Sequence, residues 1–173
     1  MRLFFALWPP EAVAQALAGQ AQTLAQRFGG RATRPETAHL TLVFLGEVEE
    51  GQLPAVLEAA RGVGAAPFEL TLDRVGFWRH NRLFWAGCLS TPPELQALAD
   101  GLRNGLRAAA LPCDLAQAFV PHLTLVRKVS DAHPALPEVE PLRWFCDRFA
   151  LVRSQLGAAG AGYSIVADFP LSE

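Results

Sequence analysis

The sequence contains the run HLTLV twice, at residues 39–43 and 122–126. The two copies begin 83 positions apart, close to half of the 173-residue chain. Both copies lie among apolar residues typical of strands, and each follows a stretch with helical spacing. The repeat therefore predicts an internal duplication in which each half supplies a helix followed by an HLTLV strand.

The spacing of apolar residues and the positions of Pro and Gly predict the other elements. We expect helices over 10–28, over 52–62 and after the Pro92–Pro93 pair. We expect strands over 2–10, 39–46, 68–78, 82–90, 118–128, 144–156 and 162–171, of which the third and fourth form an antiparallel hairpin. The predicted connections are a polar loop over 31–38, a proline-rich loop over 130–141 and the glycine-rich turn GAAGAG over 157–162. This mixed order favours a single α+β domain over residues 1–173, with two closely packed lobes, over a doubly wound parallel sheet.

Successive side chains of a strand point to opposite faces. Strict alternation predicts polar faces made of His39, Thr41 and Val43, and of His122, Thr124 and Val126. It predicts apolar faces made of Leu40, Leu42 and Phe44, and of Leu123 and Leu125. Core packing explains the leucine faces but does not explain an imidazole and a hydroxyl two positions apart. Each half thus contributes one polar patch, and an approximate two-fold axis would let both patches face a shared cleft.

Two histidines across a cleft suit acid–base chemistry. An unperturbed imidazole has a pKa of about 6.5, so one ring can take a proton from water while the other gives one to a leaving oxygen. Each such role typically contributes about 10²- to 10⁴-fold to the rate. The hydroxyls of Thr41 and Thr124 would donate hydrogen bonds to an anionic phosphoryl group. Neither patch has a second His, Cys or carboxylate at ligand spacing, so we expect no metal and no cofactor. His80 and His133 lie in a turn and a loop, where we expect them to be solvated.

The composition limits the partners and the compartment. A formal net charge of −2 argues against binding long nucleic acid by charge alone and favours a pocket for one phosphate or one strand end. The three cysteines form no CxxC, which argues against disulfides and a structural zinc site and favours a reducing compartment. No apolar run approaches the roughly 20 residues of a membrane span, and the N-terminus lacks the features of a signal peptide. We expect a cytoplasmic monomer that contacts no membrane.

The two H-x-T-x motifs, HLTL at 39–42 and HLTL at 122–125, resemble those of the two-histidine phosphoesterase superfamily. The flanking stretches RLFFAL, HLTLVFLGEV, RLFWAG and FVPHLTLVRK, with a late tyrosine in GYSIV, narrow the resemblance. Over nearly the whole chain they are similar to the RNA 2′,3′-cyclic phosphodiesterases, also called 2′-5′ RNA ligases. This resemblance implies a bilobal α+β fold with no metal. Its pseudo-two-fold duplicated lobes would have largely antiparallel sheets lining a central cleft, with helices outside.

The resemblance also implies a reaction, the hydrolysis of a 2′,3′-cyclic phosphate on an RNA end or small nucleotide to a 2′-phosphomonoester. It makes His39 the general acid that protonates the departing 3′ oxygen and His122 the general base that activates water. It assigns the phosphate to Thr41, Thr124 and Arg127. Strict alternation points Arg127 away from His122, so we expect the arginine to reach the cleft only if the strand bends or ends first.

Two alternatives stay open on the sequence alone. With a 5′-hydroxyl in place of water, the same site would join RNA ends through a 2′-5′ linkage without ATP. The second alternative is a non-catalytic module that binds RNA ends or nucleotides. The presence of both histidines and both threonines argues against it, because binding alone needs no acid–base pair.

Aromatic side chains are candidates for stacking on the bases of the substrate, a contact worth about 1–3 kcal/mol per base. The candidates are Phe5, Trp8, Trp85, Phe119 and Tyr163. Of these we favour Phe119 and Tyr163.

Overall fold

The computed structural model describes residues 1–114, 116, 118–157 and 160–172. Over these residues the helices are α1 (Glu11–Phe28), α2 (Leu53–Arg61) and α3 (Pro93–Ala108). The first five strands are β1 (Arg2–Leu7), β2 (Arg31–Ala32), β3 (Leu40–Glu47), β4 (Phe68–Leu72) and β5 (Arg74–Trp78). The others are β6 (Leu83–Gly87), β7 (Leu123–Arg127), β8 (Leu142–Cys146), β9 (Arg148–Gly157) and β10 (Gly160–Pro170). The predicted helices are confirmed, and no described helix combines the length and hydrophobicity that a membrane span requires.

The strands form two antiparallel sheets, in agreement with the predicted α+β class. The larger sheet has the order β10-β9-β1-β3-β7-β6-β5, with β2 also paired to β7, and the smaller sheet pairs β4 with β8. The units β1–α1–β3 and β6–α3–β7 share one connectivity, and their HLTLV strands are antiparallel neighbours at the centre of the larger sheet. Helix α1 packs against β7 and α3 packs against β3, so each helix covers the central strand of the other half.

Some strand boundaries differ from the prediction. The stretch 68–78 is two strands, β4 and β5, on either side of Asp73, and the stretch 144–156 divides at Asp147 into β8 and β9. In each case the two strands belong to different sheets, so only β5 forms the predicted hairpin with β6. The apolar pattern runs through both breaks because the strands on either side bury residues in the same core. The polar loop contains β2 and the 3-10 helix Pro35–Thr37, and β1 and β7 are shorter than predicted.

The larger sheet buries one face and leaves the other partly open. In β1, Leu3, Phe5 and Leu7 belong to the main core, into which the buried leucines of α1 and α3 also pack. The alternate residues Phe4 and Ala6 belong to a small separate cluster on the opposite side of the sheet. We call that side the open face.

Candidate active site

The two motif histidines lie immediately before β3 and β7, the central strands of the larger sheet. The strands are antiparallel and pair at the leucine that follows each histidine. Continuing that register places His39 across from Thr124 and Thr41 across from His122, where facing side chains have Cβ atoms about 4.5–5.5 Å apart. Each histidine therefore faces the threonine of the other motif.

Two adjoining cavities follow this cross-pairing. The cavity of about 200 Å³ that we call the His39 cavity is lined by Thr124, Arg127 and Tyr163 as well as His39. The cavity of about 160 Å³ that we call the His122 cavity is lined by Thr41, Phe119 and His122. All seven site residues predicted from the sequence thus line one cavity or the other.

Both central strands carry a β-bulge directly after the motif threonine. The pairing of β3 with β1 skips Leu42, and the pairing of β7 with β6 skips Leu125. A bulge inserts one extra residue and so shifts the alternation of the strand. The prediction that Val43 and Val126 share the polar faces is therefore wrong, since both are buried in the main core.

The bulges turn the next side chain, Phe44 in β3 and Arg127 in β7, onto the open face. Phe44 packs against the small cluster and not beside the leucines, and the Arg2 guanidinium lies 4.9 Å from its ring centroid. Arg127 lines the His39 cavity, where its Nη2 donates a 3.4 Å hydrogen bond to Thr124 Oγ1. Strict alternation therefore gave the wrong face for both residues. The sequence signal for each bulge was the adjacent apolar pair LV, which follows the threonine in both repeats.

The same local hydrogen bond orients both imidazoles. The Nδ1 atoms of His39 and His122 lie 2.8 Å from the carbonyl oxygens of Thr37 and Val120, two residues earlier in each case. Because a carbonyl oxygen only accepts, Nδ1 carries the proton and donates it. This leaves Nε2 of each ring to accept a proton when the ring is neutral and to donate one when it is charged.

Aromatic side chains enclose His39. Trp8 stacks on its ring at 5.2 Å between centroids with 8° between planes, and Phe4 lies at 5.0 Å. Tyr163 packs edge-on at 4.9 Å. Burial among these rings lowers the pKa of His39 from 6.5 to about 4, against the opposing effect of the Thr37 hydrogen bond. The positive charge of Arg127 is a smaller contribution to the same lowering of the pKa.

His122 has a different neighbour, Trp78, whose ring packs edge-on at 4.5 Å. Trp78 in turn packs against Trp85 at 5.5 Å, and Trp85 lies so close over Gly76 that any side chain there would overlap the indole. Burial lowers the pKa of His122 as well, and the charge of Arg127 adds to this effect. Sequence reasoning missed Trp78 because nothing in the hairpin pattern distinguishes it from a packing residue.

The other aromatic candidates divide by burial. Phe5 is fully buried and Trp85 is 6% exposed, so neither can stack on a base. Trp8 is half-buried against His39. Phe119 is half-buried in the His122 cavity, with the Arg103 guanidinium 5.8 Å from its ring centroid. Stacking by Phe119 and Tyr163 stays a prediction.

Sequence reasoning also missed three arginines that line the cavities. Arg31 and Arg34 line the His39 cavity, and Arg103 lines the His122 cavity. The available signal for the first two was the stretch RATR, five to eight residues before the first motif histidine. The two remaining histidines, His80 and His133, are exposed as predicted. Among the described residues, no three His, Cys, Asp or Glu side chains gather in a way that could hold a metal ion.

Similarity to known proteins defines the class of protein to which the chain belongs. A sequence model of the family described as LigT like Phosphoesterase matches residues 7–85. The structure of Escherichia coli LigT complexed with 3′-AMP superposes with a TM-score of 0.91 at 28% identity, covering 99% of this chain and 98% of that one. A Thermus thermophilus structure superposes with a TM-score of 0.84 at 33% identity, with the same coverage. The fold is that of the LigT-like phosphoesterases.

Curated relatives identify the family within that class. An RNA 2′,3′-cyclic phosphodiesterase of Thermus thermophilus is 35% identical over 183 residues, covering 99% of this chain and 90% of the relative. The Escherichia coli protein of the same name is 31% identical over 173 residues, covering 99% and 97%. The chain therefore belongs to the RNA 2′,3′-cyclic phosphodiesterase family, which confirms the resemblance seen in its motifs.

Proposed function

We propose that the protein hydrolyses 2′,3′-cyclic phosphodiesters of RNA ends or nucleotides to 2′-phosphomonoesters by a two-histidine mechanism without a metal. The observation that carries the proposal is the cross-pairing of the two motifs, which sets each histidine opposite the threonine of the other at one cleft. The relatives named for this activity, and the 3′-AMP complex of Escherichia coli LigT, support the substrate class.

In the proposed reaction the cyclic phosphate lies between the two rings. His122 Nε2 accepts a proton from water as the water oxygen bonds to phosphorus, and the bond from phosphorus to O3′ breaks. His39 Nε2 donates a proton to O3′, which leaves a free 3′-hydroxyl and a phosphate on O2′. Thr41, Thr124 and Arg127 donate hydrogen bonds to the non-bridging oxygens, whose charge must be stabilised in the transition state.

The unequal charge of the two cavities supports this division of roles. The attacking and leaving oxygens of a phosphoryl transfer lie roughly in line, so the leaving group and the water occupy opposite sides of phosphorus. The His39 cavity is lined by Arg31, Arg34 and Arg127, and no described Asp or Glu lines it, which suits the anionic nucleotide that bears O3′. The His122 cavity is lined by Arg103 together with Asp114, whose charges offset each other, which suits neutral water.

The lowered pKa values of the two histidines determine when the proposed acid, His39, carries its proton. Burial keeps both rings neutral near pH 7 in the empty cleft, with the pKa of His39 at about 4. An anionic phosphate beside an imidazole favours the charged form and raises its pKa. The proposed acid therefore takes up its proton with the substrate, and free protein holds a pair of bases.

The direct test is the product formed in the absence of metal. An oligonucleotide that ends in a 2′,3′-cyclic phosphate is incubated with the protein in excess EDTA, and the terminal phosphate is located by mass spectrometry and nuclease digestion. We expect a 2′-phosphate and an undiminished rate. A 3′-phosphate, or loss of the rate that Mg²⁺ or Zn²⁺ restores, would refute the mechanism.

Ligation is the alternative use of the same site and stays a prediction. A 5′-hydroxyl that enters the His122 cavity in place of water would attack the same phosphorus and form a 2′-5′ linkage. Adding an oligonucleotide with a 5′-hydroxyl to the reaction above tests this, because ligated product and 2′-phosphate separate by length.

A further inference from the structure

Arg31 and Arg127 form a like-charged cross-strand pair. Their Cα atoms are partners in the ladder between β2 and β7, and both side chains line the His39 cavity. Like charges directly opposite each other in a sheet are destabilising. The described residues that line this cavity include no Asp or Glu to offset the pair. Anions bound beside the two guanidinium groups would relieve this repulsion.

Arg34 extends the positive charge along the loop that follows β2. It directly precedes the 3-10 helix Pro35–Thr37, and its Nε contacts Glu36 Oε1 at 3.2 Å with both side chains mostly exposed. The terminal guanidinium nitrogens carry four further N–H donors. The backbone N–H of Thr33 donates a 2.7 Å hydrogen bond to a carbonyl of β7, which fixes the loop against the sheet. Arg34 is therefore held at the rim of the same cavity as Arg31.

The proposed hydrolysis uses only part of this charge. One cyclic phosphate between the histidines is held by Thr41, Thr124 and Arg127, so neither the proton transfers nor the contacts to that phosphate use Arg31 or Arg34. We propose that Arg31 and Arg34 form a second anion site, which binds the phosphodiester on the 5′ side of the nucleotide that carries the cyclic phosphate. This inference rests on the proposed function and deepens it, because it makes an RNA end the preferred substrate over a cyclic mononucleotide.

The site also gives the RNA a direction. The part of the cavity lining that comes from β10 includes Gly160 and Ala161, which carry no charge, whereas Arg31 comes from β2. A strand in the His39 cavity therefore meets its cations on the β2 side, where arginine can donate two parallel hydrogen bonds to a phosphate. The chain upstream of the cyclic phosphate would leave the cleft past Arg34, which lines the His39 cavity and not the His122 cavity.

The test compares two substrates that differ by one 5′ nucleoside and the internal phosphodiester that joins it. These are adenosine 2′,3′-cyclic phosphate and the dinucleotide ApA with a 2′,3′-cyclic phosphate. We expect the wild-type protein to prefer the dinucleotide about tenfold in kcat/KM, equivalent to about 1.4 kcal/mol. The double variant Arg31→Gln with Arg34→Gln should prefer it by less than about twofold. Arg153→Gln is the matched control. Arg153 is exposed, and because it pairs with a core-facing residue of β1 its side chain lies on the face of the sheet away from the cleft.

A neutral methylphosphonate in place of the internal phosphodiester tests the same contact without a variant. Wild-type protein should lose its dinucleotide preference on this substrate, and the double variant should not distinguish charged from neutral linkage. Equal kcat/KM of wild-type protein for mononucleotide and dinucleotide would overturn the second site, as would an unchanged preference in the double variant. If wild-type protein cleaved neither substrate, the proposed function itself would fail.

Discussion

The two halves of the cleft have the same motif and different surroundings. In both, the ring donates from Nδ1 to a carbonyl two residues earlier, and a bulge follows the threonine. His39 is enclosed by three aromatic rings from β1, its following turn and β10, whereas His122 meets Trp78 from β5. The difference teaches that the motif sets the direction of each Nε2, whereas the neighbouring strands set how far burial lowers the pKa of each ring.

Removing either imidazole is the largest change we predict. His39→Asn and His122→Asn should each lower kcat by about 10²- to 10⁴-fold, because each removes one proton transfer. The double variant should be little slower than the slower single variant, since acid and base act in one step. His133→Asn is the control, because His133 is exposed in the proline-rich loop. A single motif variant that kept a tenth of the wild-type kcat would remove that ring from the mechanism.

The enclosure of His39 should appear in the free energy of unfolding. Its folded-state pKa of about 4 lies below the unfolded value of 6.5, so between these pH values the unfolded chain binds a proton that the folded protein does not. This contribution destabilises the protein as pH falls, by up to about 3 kcal/mol. His39→Asn should remove that loss in urea titrations from pH 7 to pH 4. His122→Asn should remove a smaller part of the loss in unfolding free energy. An equal effect of the two variants would contradict the inference that His39 is the more strongly enclosed ring.

Both lowered pKa values should shape the pH dependence of the rate. The reaction needs one proton on the pair, and above pH 6.5 the singly protonated free protein becomes rarer because both pKa values lie below that value. We expect kcat/KM to fall by up to tenfold per unit as pH rises above 6.5. The fall in kcat should occur at higher pH than the fall in kcat/KM, since the bound phosphate raises the pKa of the acid. A flat kcat/KM between pH 6.5 and 8 would be incompatible with this account.

The smallest predicted effects separate the two aromatic neighbours. Trp8→Leu and Trp78→Leu should each slow the reaction about two- to tenfold, the range expected for losing one aromatic contact. Trp8→Leu should also raise the pKa of His39, because less of the ring is shielded from water, whereas Trp78→Leu should act on His122. Trp8→Phe keeps a ring on His39 and serves as the control. Identical pH profiles for the two leucine variants would show that the surroundings do not distinguish the histidines.

Much of this arrangement was predictable from local patterns. The repeated HLTLV run predicted the duplication, and alternation correctly placed His39, Thr41, His122 and Thr124 together on faces that the leucines do not share. The helices were predictable because their apolar stripes pack on one core and their ends carry Pro or Gly.

The parts that escaped prediction depend on contacts between distant segments. The bulges in β3 and β7 are defined by pairing with β1 and β6, so within each strand only the adjacent apolar pair LV indicates them. Arg31 reaches the cleft because β2 pairs with β7, where its partner Arg127 lies 96 residues later. The pKa of His39 depends on Trp8 and Tyr163, which come from opposite ends of the sequence.

The place of β1 between β3 and β9 has a consequence for synthesis on the ribosome. Strands β5, β6 and β7 pair with one another within residues 74–127, so the emerging chain can assemble the His122 side early. One edge of β1 has no partner until residues 148–157 have been translated, and Tyr163 follows later still. The nascent protein thus exposes one edge of β1 until β9 emerges, and the ring of His39, already against Phe4 and Trp8, gains its contact with Tyr163 only after β10 has been translated.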